Sequence, residues 1–221
     1  MNIEIEDIIK NVAPHLQVVA IEADVINCDT PDDLWTELTQ EVLHIAQLYD
    51  LSQINKRPGI AATRAAYKAL GKEPNRYRPS SEALCRRAVK GMELYRINVL
   101  VDIINLISMR SGYSIGGFDA DCIQGDLLRL GAGRTGEVFN AIGRGQLNIE
   151  GLPLYRDAVG GIGTPTSDEE RTKLSIATRR LLMCINIYQE EMPVGDVVNL
   201  SRNLLERYCQ ATNITVKYVR P

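Results

Sequence analysis

Asn98, Asp102 and Asn105 stand at i, i+4 and i+7 in "INVLVDIINLISMRSGYSIGGFDAD" (97–121), the spacing that lines side chains along one face of a helix. Short amides and carboxylates of this kind can position a water or orient a substrate carbonyl. The same groups can instead cross-link a helix to irregular backbone, and for Asp102, with two oxygens to offer neighbouring N–H groups, that structural role is the favoured reading. No Lys or Glu stands in the stripe. The rest of the segment (Ile97, Leu100, Val101, Ile103, Ile104, Leu106, Ile107) is close to continuously apolar.

Two other kinds of segment carry groups with chemical potential. Glycine pairs occur in "SIGGFDAD" (114–121) and "AVGGIGTP" (158–165), but neither matches a phosphate-binding loop opening a helix, and tight turns needing positive φ are the expectation for both. "TSDEERTKLSIATRR" (166–180) runs three carboxylates into Arg171 and Thr172, and its simplest reading is a solvated loop with local ion pairs. Serine has no nucleophile elbow here, and no cysteine has an evident histidine partner, so covalent catalysis is not expected.

The elements that position these groups alternate in type. "LQVVAIEADVIN" (16–27) predicts a strand, and "TPDDLWTELTQEVLHIAQLY" a helix with Thr30 as N-cap and Pro31 at its first position. Helices are predicted over 58–70, ended by Gly71, and over 79–90, capped by Ser80 or Ser81 and ended by Gly91. The polar-striped helix spans 97–110 and closes at Gly112. From 113 to 165 the chain is glycine-rich with short strand-like pieces. "LPLYRDAVGGIG" reads as a β-hairpin with Asp157 entering its turn. A buried strand over 179–188, a helix within 192–212 and a last strand "NITVKYVR" complete the reading. The fold class is α/β (α+β): a mixed sheet or β-sandwich core with surrounding helices. One domain over 1–221 is expected, with its core at about 15–190 and residues 193–219 as a C-terminal extension.

Composition narrows the function classes. A chain of 221 residues, 45% hydrophobic, can bury a substantial core, and its apolar runs are too short to span a bilayer. The N-terminus "MNIEIEDIIK" is acidic, unlike a secretory or mitochondrial leader. Five scattered cysteines without CxxC spacing read as thiols in a reducing, cytoplasmic setting. With only His15 and His44, a histidine-rich metal centre is not expected, nor is any metal or cofactor. The net charge of −3 conceals an asymmetry: residues 1–50 sum to −10 and residues 56–96 to +8. The basic stretch, interleaved with Tyr67, Tyr77 and Tyr95, could follow a phosphate backbone. Its alternative is a solvated helical surface partly neutralised by the acidic segment, which is the favoured reading.

Taken in order, "YRPSSEALCRRAVKG" (77–91), the 97–121 segment, "LPLYRD" (152–157) and "DEERTKLSIATRRLL" (168–182) resemble the B3/B4 domain of the phenylalanyl-tRNA synthetase β chain. The resemblance is closer still to free-standing proteins built from that domain, and it covers roughly residues 15 to 190. Asn98, Val101, Asp102, Asn105, Gly112, Phe118 and Asp119 carry its central motif. Nothing resembles the synthetase's other β-chain modules or its catalytic α chain, so aminoacylation is not expected.

The resemblance implies an editing-type site that binds the acceptor end of aminoacyl-tRNA and hydrolyses a wrongly attached amino acid. Asn105 and Glu170 match family site residues and would be catalytic, with Gly116, Gly117, Asn98 and Thr172 binding substrate. Arg86, Arg87 and Arg171 are candidates for RNA phosphates. Where the family usually has a histidine before its Ala-Phe-Asp, this chain has Gly116, followed by Gly117-Phe118-Asp119. The competing reading is a non-catalytic module binding RNA or an amino acid. Monomer and homodimer are both compatible with the size and the short apolar patches.

Overall fold

The computed structural model describes all residues from Met1 to Pro221. In chain order the elements are β1 (Asn2–Ile5), α1 (Asp7–Val12), β2 (Gln17–Asp24), α2 (Asp32–Leu48), α3 (Pro58–Ala69), α4 (Ser80–Val89) and α5 (Val99–Ser111). There follow β3 (Ser114–Asp119), β4 (Leu127–Ala132), β5 (Asn140–Ala141), β6 (Gly145–Gln146), β7 (Pro153–Arg156), β8 (Gly161–Gly163), β9 (Arg180–Ile187), α6 (Val194–Cys209) and β10 (Thr212–Val219).

Two four-stranded sheets, ordered β10-β2-β9-β3 and β1-β4-β7-β8, stack as a sandwich, and helices cover the outer face of the first. The middle sheet is therefore buried on both faces, which explains the apolar run Leu181–Ile185 of its inner strand β9. Leu181, Met183, Ile185 and Ile187 point to the helices, where they join Leu100, Ile103 and Ile107 of α5 in the larger core. Leu182 and Cys184 point the other way, to Leu128, Tyr155 and Ile162 of the second sheet. The α/β sandwich covered by helices is the class expected from sequence.

Several local expectations change. Thr30 does not cap α2: Pro31 occupies the N-cap position, and the Thr30 hydroxyl donates to Asp102 Oδ2 at 2.5 Å. The 97–110 helix begins at Val99 because Asn98 is its cap, and Gly112 closes it at φ 76°. Neither glycine pair supplies positive φ. Gly116 and Gly117 lie inside β3, where close approach by neighbouring side chains calls for glycine. The β1–α1 segment was not anticipated: β1 pairs in parallel with β4 and α1 buries Ile9 in the second core. Residues 193–219 are integrated in the core, since α6 contributes Val197, Leu204 and Leu205 and β10 pairs with β2.

Candidate functional site

The three groups of the α5 stripe meet different surroundings. Asn98 Oδ1 accepts the Val101 N–H at 3.1 Å, satisfying one of the donors that a helix start leaves open. Asp102 is fully buried; its Oδ2 accepts from Thr30 Oγ1 and from the Ile97 N–H at 3.2 Å, while Oδ1 has no partner. Burial raises its carboxyl above the ordinary value, against those two hydrogen bonds. Asn27 adds a third tie, accepting the Leu100 N–H at 3.3 Å. Asn98 thus caps α5 from within, while Asn27 and Asp102 lock the start of the helix to the loop after β2. Asn105, two turns along from Asn98, faces a cavity of about 450 Å³.

This cavity lies between α5, the start of α4, β3 and the loop that follows β8. Its wall is mostly aliphatic, with Val101, Ile104, Ile115 and Leu174 prominent, and its polar groups are few: Ser80, Asn105, Ser108, Asp168 and Lys173. The Ser108 hydroxyl is committed to the Tyr113 carbonyl at 2.5 Å. Asp168 Oδ2 accepts the Gly117 N–H at 3.2 Å. No cation pairs with Asp168, because Lys173 Nζ is held by Glu170 Oε2 at 2.5 Å. Burial pushes the Asp168 carboxyl up to about 7, with the Gly117 N–H opposing the shift. A carboxyl that titrates near neutrality in a cleft marks a functional candidate. Glycine makes this placement feasible: a Cβ on Gly163 would lie 2.6 Å from Asp168 Oδ1 and 2.6 Å from the Phe118 ring.

The expected site residues divide around this cavity. Asn105 and Gly117 line it together. Gly116 does not, because side chains alternate along a strand. A Cβ there would point at Phe118, 2.6 Å from its ring, in the second core, whereas a Cβ on Gly117 would meet Ile104 and Leu174 on the cavity side. The position of the family histidine therefore faces away from the cavity in this chain. Asn98 is a helix cap and outside the lining. Thr172 is completely buried behind the wall, its hydroxyl without a partner. Glu170 lies on the surface beside the cavity, where Lys173 and the Gly143 N–H hold its carboxylate below the ordinary value. Asp168 is the group that the residue pattern did not single out; it was one of three consecutive acids in "DEE", and only the fold turns it inward.

The three expected RNA-contacting arginines are all engaged within the protein. Arg171 forks onto Asp157 at 2.9 and 3.0 Å, tying the loop after β8 to the β7–β8 turn. Burial would raise the Asp157 carboxyl, but Arg171 and the N–H groups of Gln124, Gly160 and Val159 outweigh it and hold it low. Arg86 donates to the Leu51 carbonyl at 3.3 Å, and Arg87 to the Glu93 carbonyl at 2.5 Å with Tyr95 beneath its guanidinium. Elsewhere in the basic stretch Arg57, Arg64 and Lys72 are buried, while Lys56, Lys68, Arg76, Arg78 and Lys90 remain exposed. The stretch is thus partly an internal framework and partly a solvated cationic surface.

No group of three or more His, Cys, Asp or Glu is placed to hold a metal ion, and no helix is long and apolar enough to cross a membrane.

The chain is thus a helix-covered β-sandwich with an aliphatic cavity, carrying the single acid Asp168, beside the polar stretch of α5 and β3. The B3/4 domain profile matches residues 62–208, two thirds of the chain, and the chain belongs to that family. No curated protein matches it. Among solved structures it is similar to an N-terminal fragment of the phenylalanyl-tRNA synthetase β-subunit from Pyrococcus horikoshii, with a TM-score of 0.49 and 13% identity. The alignment covers 100% of this chain and 54% of that one, so the chain spans about half the length of the fragment.

Proposed function

We propose that the chain, acting as one domain over residues 1–221, binds the acceptor end of aminoacyl-tRNA in the cytoplasm and hydrolyses a mischarged amino acid in trans. The observation that carries this reading is the cavity of about 450 Å³, in which the carboxamide of Asn105 faces the lumen without a hydrogen bond to the protein. An aminoacyl ester is already activated, so its hydrolysis needs a placed water and donors for the developing oxyanion, and no covalent nucleophile. Water adds to the ester carbonyl, the bond to the 3′ oxygen breaks, and that oxygen takes up the proton. The free amide of Asn105 and the hydroxyl of Ser80 are the donors available on the cavity wall. Lys56, Lys68, Arg76 and Lys90 are the exposed cations available for the phosphate backbone.

A second reading, a binding module without catalysis, draws on two observations. Glu170 is tied to Lys173 outside the cavity, and Gly116 faces the opposite core. Deacylation of a panel of mischarged tRNAs separates the two, with Asn105→Ala and Glu170→Ala alongside the unaltered protein. The editing reading expects deacylation of at least one substrate, lost in Asn105→Ala and little changed in Glu170→Ala. Retained RNA binding with no deacylation of any substrate refutes it. RNA affinity in either case should fall steeply with salt and weaken when the exposed cations are neutralised.

A further inference from the structure

We propose that Asp168 receives the α-ammonium group of the bound aminoacyl moiety, so that the cavity selects ligands pairing a cationic amine with an apolar side chain. The inference rests on the reading of the cavity as an aminoacyl site and names the group that orients the ligand there.

Charge bookkeeping within the cavity leads to it. Asp168 is the one carboxylate on the wall, and it makes a single hydrogen bond, from the Gly117 N–H to Oδ2. Oδ1 has no partner, and it is not among the side-chain atoms sealed from solvent, as Asp102 Oδ1 is. Two neighbouring acids already have cations: Glu170 holds Lys173, and Asp157 holds Arg171. A carboxylate taken out of water without a counter-charge is costly, and an ammonium supplied by the ligand removes that cost through a charge-assisted hydrogen bond. The position of Asp168 is also built rather than incidental. Gly163 must lack a Cβ for Asp168 and Phe118 to approach it, and a Cβ on Gly117 would lie 2.4 Å from Ile104 Cδ1. Around the acid, Ile104, Ile115 and Leu174 supply an aliphatic seat that suits a side chain and offers no second acid. A neutral acyl group would leave Asp168 uncompensated, and an anionic ligand would be repelled.

Calorimetric titration of the full chain with L-leucine amide and with 4-methylpentanamide, which lacks only the amine, tests this at neutral pH. The expected result is saturable binding of the amino amide, at least about tenfold tighter than that of its deaminated analogue. Asp168→Asn should erase the difference. Equal affinity for the two amides, a difference that survives in Asp168→Asn, or no saturable binding of L-leucine amide at millimolar concentration overturns the inference. The comparison of the two ligands uses the unaltered protein and does not depend on the variant folding. Aminoacyl-tRNA and its N-acetylated form then separate this inference from the editing reading. Equal deacylation of both leaves editing standing and removes the role of Asp168. Amine-dependent binding with no deacylation does the reverse.

Discussion

Replacing Asp168 by Asn should change how stability depends on pH, in a direction that the geometry dictates. The carboxyl ordinarily titrates at 3.8 and is pushed up to about 7 in the folded chain because it is buried without a cation. Between those values the native state holds a proton that the unfolded chain has released. Stability from this group is therefore fully present below the unfolded value and is lost as pH rises toward 7. The shift of about three units corresponds to at most about 4 kcal/mol, at 1.36 kcal/mol per unit. Water reaching the carboxyl through the cavity mouth reduces the effect, to about 2 kcal/mol. Asn keeps the shape and cannot ionise. Urea unfolding of both proteins at pH 5 and pH 8 isolates the contribution of Asp168, since the rest of the chain is common to both and cancels in the difference. The variant should gain about 1 kcal/mol on the unaltered protein between the two pH values, the remainder of the effect falling below pH 5. A difference that stays constant, or that moves in the unaltered protein's favour as pH rises, would show that Asp168 is already solvated or paired.

Two further substitutions test the supports of the cavity. Gly163→Ala places a Cβ 2.6 Å from both the Phe118 ring and Asp168 Oδ1, so it should cost about 2–3 kcal/mol and lower the melting temperature by several degrees. An unchanged melting temperature would mean that the two sheets slide apart easily at this point. Arg171→Ala strands the Asp157 carboxylate, whose side chain is 0% exposed, and should cost about 3 kcal/mol in urea unfolding while leaving RNA affinity unaltered. Weakened RNA binding with native stability would instead return Arg171 to the phosphate contacts.

How far the sequence could be read depends on whether a feature is encoded locally. Helices α3 and α4 were legible because apolar spacing and the closing Gly71 and Gly91 lie within a few residues of one another. β9 was legible because burial on both faces imposes the continuous apolar run Leu181–Ile185. β1 was not: it is a short strand whose partner β4 lies more than a hundred residues away, and it carries no turn signal of its own. The capping of α2 failed for a related reason. Thr30 has the chemistry of a cap, but Asp102, seventy-two positions on, accepts its hydroxyl instead.

Within the candidate site the same division holds. The family motif, the polar face of α5 and the placing of Asn105 on that face followed from residue type and spacing. The Gly116-Gly117 pair was expected as a turn with both residues binding substrate; strand β3 instead turns them to opposite faces, and the packed sandwich assigns Gly117 to the cavity and Gly116 to Phe118. Likewise "DEE" contains three acids of equal appearance. Tertiary structure caps a short 3-10 turn with Glu169, gives Glu170 to Lys173, and turns Asp168 toward an aliphatic cavity without a cation. Local sequence determines which groups a segment offers; which of them loses its water and which finds a counter-charge depends on neighbours brought from elsewhere in the chain.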